Sequence, residues 1–415
     1  MEISKYVKQF KIHNKIYLYN TINSCILEFS DDYLDGDQIN LMKLNQQEYD
    51  YMNDNQFFFT GDDVINFIKD DDMQVDTYNL IISFNQCCNL ACKYCYQNYY
   101  DSTNEISYEV IDNTIKYLKN YVFINEKYKF LDIDIIGGEP LLSKDKIEYF
   151  IKQLDFINKD NIFITVETNG TLINKEIFNI LREFNVNFHI TLSYKQDHDT
   201  YRPYKSKEGS YNTIINNLIK YGKYFQKENF NLIIRYNVND TNISKFTDFI
   251  NELKEILNYK FQIDIAYTSN YEYNDSKNTL SIIDYKNWKV ETSFEYPELE
   301  LISLEDLCRT QYKSCFAYAQ NGVKIFEDGS LGLCNAWKFN DRRSNIKNLA
   351  EGKDYYEDFK DIFSQRKNIE NECINCENVF ICGGKKFCRE NDQCDFLDFN
   401  IDKYLKRIIM EGDLL

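Results

Sequence analysis

Between residues 78 and 267, six short apolar, β-branched runs alternate with amphipathic stretches of helical length, and this alternation leaves few architectures open. The runs are YNLIISF at 78–84, FLDIDII at 130–136, IFITVE at 162–167, VNFHITL at 186–192, FNLIIRYN at 230–237 and KFQIDIAY at 260–267. Between them, 106–122, 143–157, 173–183, 209–226 and 242–256 carry apolar residues at three- and four-residue spacing, as helices packed on one face of a sheet do. Strand, helix, strand in regular order predicts right-handed crossovers and a parallel sheet. The expected fold class is α/β, a partial (β/α)6 barrel of the TIM type.

The flanks read differently. Residues 1–77 form a small α+β module, with QFKIHNKIYLYN and SCILEFS as short strands about a turn at Asn20 to Asn23, followed by helical stretches. The barrel is assigned to 78–300. From 301 to 415 the periodicity weakens and cysteine and glycine punctuate the chain, as where metal rather than a large apolar core holds a fold.

Charge and hydropathy exclude some classes. A net charge of -18 with no basic stripe argues against a nucleic-acid partner. No run of eighteen apolar residues occurs, and the start MEISKYVKQFKIHNK lacks the features of a signal peptide, so a cytoplasmic protein without a membrane partner is expected. In that compartment thiols stay reduced, and clustered cysteines indicate metal more often than disulfides. The thirteen cysteines fall into two regions, Cys87 to Cys95 and Cys308 to Cys394, with Cys25 apart.

In parallel α/β folds, ligands sit beyond the carboxyl ends of the strands, and the distinctive motifs fall there. Cys88-Asn-Leu-Ala-Cys92-Lys-Tyr-Cys95 follows the first strand, Gly137-Gly138-Glu139-Pro140 the second, and Thr168-Asn169-Gly170 the third. Four-iron clusters are normally held by four cysteines, so three on one loop leave an iron open to chelate a substrate. On spacing alone, a zinc site missing a ligand, or chance, is the alternative.

Over 78–267 these motifs resemble those of the radical S-adenosylmethionine (SAM) superfamily. The resemblance implies that Cys88, Cys92 and Cys95 hold a 4Fe-4S cluster whose open iron binds SAM. An electron from it would cleave SAM to methionine and a 5'-deoxyadenosyl radical. Residue by residue, it places Tyr94 against the adenine, Gly137, Gly138 and Glu139 at the methionine amino group, Thr168 and Asn169 near the ribose, and Ser193 at the methionine carboxylate. The family continues Ser-x-Asp-Gly, where this chain has Ser193-Tyr194-Lys195-Gln196. His198-Asp199-x-x-Arg202 matches the next element, and a guanidinium suits a carboxylate, the alternative being a surface ion pair.

The C-terminal cysteines resemble the SPASM module of peptide-modifying radical enzymes. Cys315, Gly329 and Cys334 fit one element, and Cys373-x2-Cys376-x5-Cys382 the next. Lys386 stands where the family places a further cysteine, and Cys388 follows two residues on. The resemblance implies two auxiliary 4Fe-4S clusters, one on Cys308, Cys315, Cys334 and Cys388, the other on Cys373, Cys376, Cys382 and Cys394, for three clusters in all. A zinc ribbon using four of these thiols is the alternative. Cys25 and Cys87 are expected to be free.

The function implied is maturation of a ribosomally made precursor peptide by hydrogen abstraction, giving a thioether or carbon-carbon crosslink, with a flavodoxin- or ferredoxin-like electron donor. The N-terminal strands weakly resemble a winged leader-binding module, which would add the leader as a strand; a subdomain capping the barrel is the alternative. Sulfatase-maturating enzymes start nearer the cysteine motif and carry an acidic residue where this chain has Asn335, which cannot act as a carboxylate base. The alternatives are a sulfatase-maturating (formylglycine-forming) radical enzyme and a noncatalytic zinc-binding module.

Overall fold

The computed structural model describes residues 2–36, 38–60, 63, 75–97, 103–227, 229–270, 277–301, 320–333, 342–361, 375–377, 379, 403 and 405–407. It divides into two compact units, one of Gln74–Ser281 with Gln320–Lys360, the other of Met1–Met73 with Ile282–Ala319 and Asp361–Leu415.

In the smaller unit, β1 (Val7–Ile12), β2 (Lys15–Asn20) and β3 (Ile26–Ser30) form an antiparallel sheet in that order. The run read as one strand is thus a hairpin, turned at His13 with a φ of 54°. Asn20 and Asn23 side chains accept the amides of Ile22 and Cys25 and shape the next turn. A two-residue pair, β4 (Leu34–Asp35) and β5 (Gln38–Ile39), precedes α1 (Gln46–Asp54), which a capping box of Asn45 and Glu48 starts. Ile16, Leu18, Phe29, Ile39, Met52 and Phe57 make its core, against which Cys25 packs. One edge of β3 pairs with no strand of this sheet, and beside it lies a cavity of about 430 Å³ lined by Leu27, Phe29, Tyr33, Glu48, Tyr51 and Met52. Residues 375–377 lie against β1, with Lys8 Nζ 2.7 Å from a Glu377 carboxylate oxygen.

In the larger unit, β6 (Thr77–Ser83), β7 (Phe130–Ile136), β8 (Ile162–Thr168), β9 (Asn185–Thr191), β10 (Phe230–Val238) and β11 (Gln262–Tyr267) run parallel in sequence order. The crossovers contain α2 (Tyr108–Tyr117), α3 (Lys144–Lys152), α4 (Lys175–Leu181), α5 (Lys195–Tyr201), α6 (Tyr211–Phe225) and α7 (Phe246–Ile256). Ile133, Ile164, Phe188 and Ile234 are fully buried on the helix-covered face; Phe178 of α4, for example, packs against Phe188 with tilted rings 5.2 Å apart. Their neighbours along each strand, Asp132, Asp134, Thr165, His189 and Arg235, line the other, polar face.

The sheet continues past β6. β12 (Gly322–Ile325) adds parallel to it, followed by β13 (Ser330–Gly332) and β14 (Arg343–Asn345), both antiparallel, so residues placed by sequence in the cysteine-rich segment extend the barrel sheet to nine strands. In the smaller unit α8 (Ile282–Glu295) is followed by a short turn. Helix α9 (Ile346–Ala350) packs on α2. Among the described residues no helix is long and apolar enough to cross a membrane.

Candidate active site at the strand ends

The cysteine loop leaves β6 through Asn85, whose side-chain amide donates to Glu139 O (2.9 Å) and Ser143 Oγ (2.7 Å). Gly138 N donates to Asn85 O at 3.1 Å and Glu139 N to Cys87 O at 2.8 Å, so the glycine pair lies directly on the start of the loop. On its far side the loop is laid along residues 201–205. Ala91 N donates to Pro203 O (2.8 Å), Lys93 N to Tyr201 O (2.9 Å), and Lys205 N to Asn89 O (3.2 Å).

Glu139 is fully buried. Its carboxylate accepts Thr168 Oγ1 (2.7 Å), Asn169 N (2.7 Å) and Leu141 N (3.1 Å), pinning together the ends of β7 and β8. Burial raises its pKa, while those donors and Arg202 oppose the rise. The side chain thus has a structural task beyond the amino-group contact expected from sequence. Asn169 reaches Asn89 Oδ1 at 2.8 Å and Cys88 Sγ at 3.8 Å, and Asn89 in turn donates to Thr171 Oγ1.

The sulfurs of Cys88, Cys92 and Cys95 influence one another electrostatically. Burial pushes Cys88 up to about 12 and Cys92 up to about 11, so in the metal-free loop both are neutral. Among the described residues, no group of His, Cys, Asp or Glu is drawn together as ligands of a single ion.

Arg202 is 7% exposed and forms no ion pair among the described residues, which removes the surface-pair alternative. Nη1 donates to Tyr94 Oη at 3.3 Å, and Nε is buried without a hydrogen-bond partner. Burial works against its charge, but the Cys92 sulfur and the Tyr94 hydroxyl raise its pKa above the ordinary value. An orphaned guanidinium N-H beside the thiols fits an anionic ligand such as a carboxylate. Tyr94 also receives Asn237 Nδ2 at 3.4 Å, so its hydroxyl joins Arg202 to Asn237. Ser193 is buried, with its amide donating to His198 Nδ1.

The structure thus brings together Tyr94, Gly137, Gly138, Glu139, Thr168, Asn169, Ser193, Arg202 and the three-cysteine loop. Of the C-terminal thiols only Cys376 is described, free and half-buried; Cys308, Cys315, Cys334, Cys373, Cys382, Cys388 and Cys394, with Asn335, lie outside the described residues. Sequence reading missed Asn85, Asn89 and Asn237, for in a chain this rich in Asn no single one stands out.

It also missed a charged cluster on the polar face of the sheet. His189 Nε2 bonds Asp264 Oδ2 at 3.0 Å, its Nδ1 stands 3.6 Å from Glu167, and Arg235 Nη1 meets Asp264 at 2.7 Å. Burial lowers the His189 pKa, but its bonds to Asp264 and Glu167 outweigh this and hold it at about 9. Because the folded value exceeds the ordinary one near 6.5, the imidazolium stabilises the fold fully below about pH 6.5 and loses that contribution as pH rises through about 9. Urea melts under anaerobic reductant are expected to show about 2 kcal/mol less stability at pH 9 than at pH 6.5, with His189→Gln removing most of the difference. Equal slopes for both proteins would contradict the pairing.

Residues 82–253 match the model of the Radical SAM superfamily. The barrel segment is a radical SAM enzyme domain. Among curated relatives, an uncharacterized protein of Methanocaldococcus jannaschii is 33% identical over 136 residues, 32% of this chain and 44% of that protein. A cysteine-type anaerobic sulfatase-maturating enzyme of Clostridium novyi is 30% identical over 166 residues, 37% of this chain and 41% of the enzyme. The chain thus spans less than half the length of either. The radical SAM cyclopropyl synthase TigE of Paramaledivibacter caminithermalis is 25% identical over 334 residues, 75% of this chain and 67% of TigE. The fold is shared with anSMEcpe bound to AdoMet and the Kp18Cys peptide (TM-score 0.64, 19% identity, 81% of this chain and 99% of that one). It is shared also with Streptococcus suis SuiB bound to the precursor peptide SuiA (TM-score 0.51, 15% identity, 92% and 94%).

Proposed function

We propose that the chain is a peptide maturase that uses SAM to install a thioether or carbon-carbon crosslink in a ribosomally made precursor peptide. The observation that carries the reading is the buried, partly unsatisfied Arg202 guanidinium next to the three-cysteine loop. Bound by Cys88, Cys92 and Cys95, a 4Fe-4S cluster supplies the electron that cleaves SAM reductively. Arg202 and Ser193 take the methionine carboxylate, the backbone at Gly137 and Gly138 the amino group, Thr168 and Asn169 the ribose, and Tyr94 the adenine. The eight C-terminal cysteines suffice for two further clusters, which would take the electron released as the crosslink closes.

Peptide-bound relatives of the same fold support a peptide substrate. So does the outer edge of β3, which pairs with no strand among the described residues: that edge and the adjoining cavity suit an extended leader added as a fourth strand. A flavodoxin- or ferredoxin-like protein is the proposed donor.

Anaerobic reconstitution followed by iron and sulfide analysis, with a dithionite assay for 5'-deoxyadenosine, tests this. About twelve irons per chain, four for each cluster, with 5'-deoxyadenosine formed, are expected. Zinc in place of iron, or no product from an iron-loaded chain, overturns the reading.

A further inference from the structure

The cysteine loop depends on residues 201–205 for its shape: the amides on either side of Cys92, those of Ala91 and Lys93, both end on carbonyls of that segment. What holds the segment itself is less obvious. It follows α5, a helix of seven residues that would be marginal alone, and leaves helical geometry at Arg202 with φ -129° and ψ 49°.

We propose that His198 is the positioning residue for this segment, fixing it through Ser210 so that the cysteine loop and Arg202 meet their ligands in register. The proposal rests on the reading that the loop holds a cluster and SAM. His198 is fully buried on α5. Its Nδ1 faces the Ser193 amide at 3.3 Å, its Nε2 lies 3.0 Å from Ser210 Oγ, and Ser210 Oγ donates to Arg202 O at 2.7 Å. A backbone amide only donates, so Nδ1 is the bare nitrogen and Nε2 carries the proton. That proton goes to Ser210, whose own proton is left for Arg202 O. Each donor has one acceptor, and only one neutral tautomer satisfies the chain. Burial and the Arg202 charge, which both hold the imidazole neutral, agree with this assignment.

The adjacent residue completes the brace. Asp199 accepts Tyr211 N at 2.9 Å and packs over Gly209, where a Cβ would press on the Asp199 carboxylate. His198 and Asp199 thus tie both ends of the stretch from Arg202 to Tyr211, and Arg202 leaves that stretch toward Tyr94. The motif pairs an arginine that meets the ligand with a histidine that never does.

Three variants separate bonding from packing. His198→Phe keeps a ring against Tyr211 but loses both bonds. His198→Asn offers an acceptor to Ser193 only, and His198→Gln a donor to Ser210 only. Amide hydrogen exchange of the full metal-free chain is the first readout, and iron content with the SAM Kd by calorimetry the second. His198→Phe and His198→Asn are expected to speed exchange at Ala91 and Lys93 and to weaken SAM binding about tenfold or more, with His198→Gln within about threefold of the parent. Should His198→Phe not fold, Ser210→Ala cuts the same limb. Unchanged exchange at Ala91 and Lys93 in the folded variants, or equal losses in Phe and Gln, overturns the proposal. If the parent chain itself takes no iron, the cluster reading fails while the exchange data still decide this one.

Discussion

Chains with Cys88, Cys92 or Cys95 changed singly to Ala are expected to fold normally but to lose iron from the loop and to make no 5'-deoxyadenosine above background. The fold is expected to survive because the loop does not rest on these sulfurs alone: Cys88 Sγ receives two long contacts, from Leu90 N (3.4 Å) and Asn169 Nδ2 (3.8 Å). Burial keeps the Cys88 and Cys92 thiols neutral, and the loop is fixed instead by the backbone bonds of Asn89, Ala91 and Lys93. The chemistry does not survive, since even an outer partner of a metal ligand is worth about ten- to a hundredfold, and a ligand more. Cys87→Ala is the control. Its carbonyl, not its sulfur, receives Glu139 N, so loading and product are expected within about twofold of the parent. Iron and sulfide analysis with chromatography of the nucleoside product checks both. Full loading in a Cys92→Ala chain would move the metal site elsewhere.

The strands and helices of the barrel were legible because each is a local pattern: β7 begins and ends at the residues read from FLDIDII, and α7 falls within 242–256. The site was legible for the same reason, its parts being short motifs placed just after strands. What was not legible depends on distance along the chain. β12 is four residues with Lys324 in their midst, and it becomes a strand by pairing with β6 more than two hundred positions earlier, which no local period announces. The His189 cluster joins β8, β9, β10 and β11, and within any one strand its members look like ordinary polar alternation. Glu139 was found but its task only half read, because its donors from Thr168 and Asn169 come from a different strand end.

Gly138→Ala is expected to cost about 3 kcal/mol of stability and to abolish iron loading together. Gly138 is not among the glycines with positive φ, so conformational freedom is not why glycine stands there. Space is. A methyl group at this position would lie 2.7 Å from both the Cys87 carbonyl carbon and the Gln86 carbonyl oxygen, and would overlap Cys87 O. All three atoms are backbone, and none can swing aside. The loop could yield only by breaking the bonds from Gly138 N to Asn85 O and from Glu139 N to Cys87 O, which would also loosen the carboxylate that joins β7 to β8. At Gly137 the nearest atoms are the Asn85 side-chain oxygen at 2.8 Å and backbone oxygen at 3.0 Å, looser contacts than those at Gly138, so Gly137→Ala should cost less. Anaerobic urea melts of the two variants, read beside their iron content, measure the difference. A Gly138→Ala chain as stable as the parent, with its cluster intact, would mean that the loop does not lie on the glycine pair and that the cysteines approach their ligand by another path.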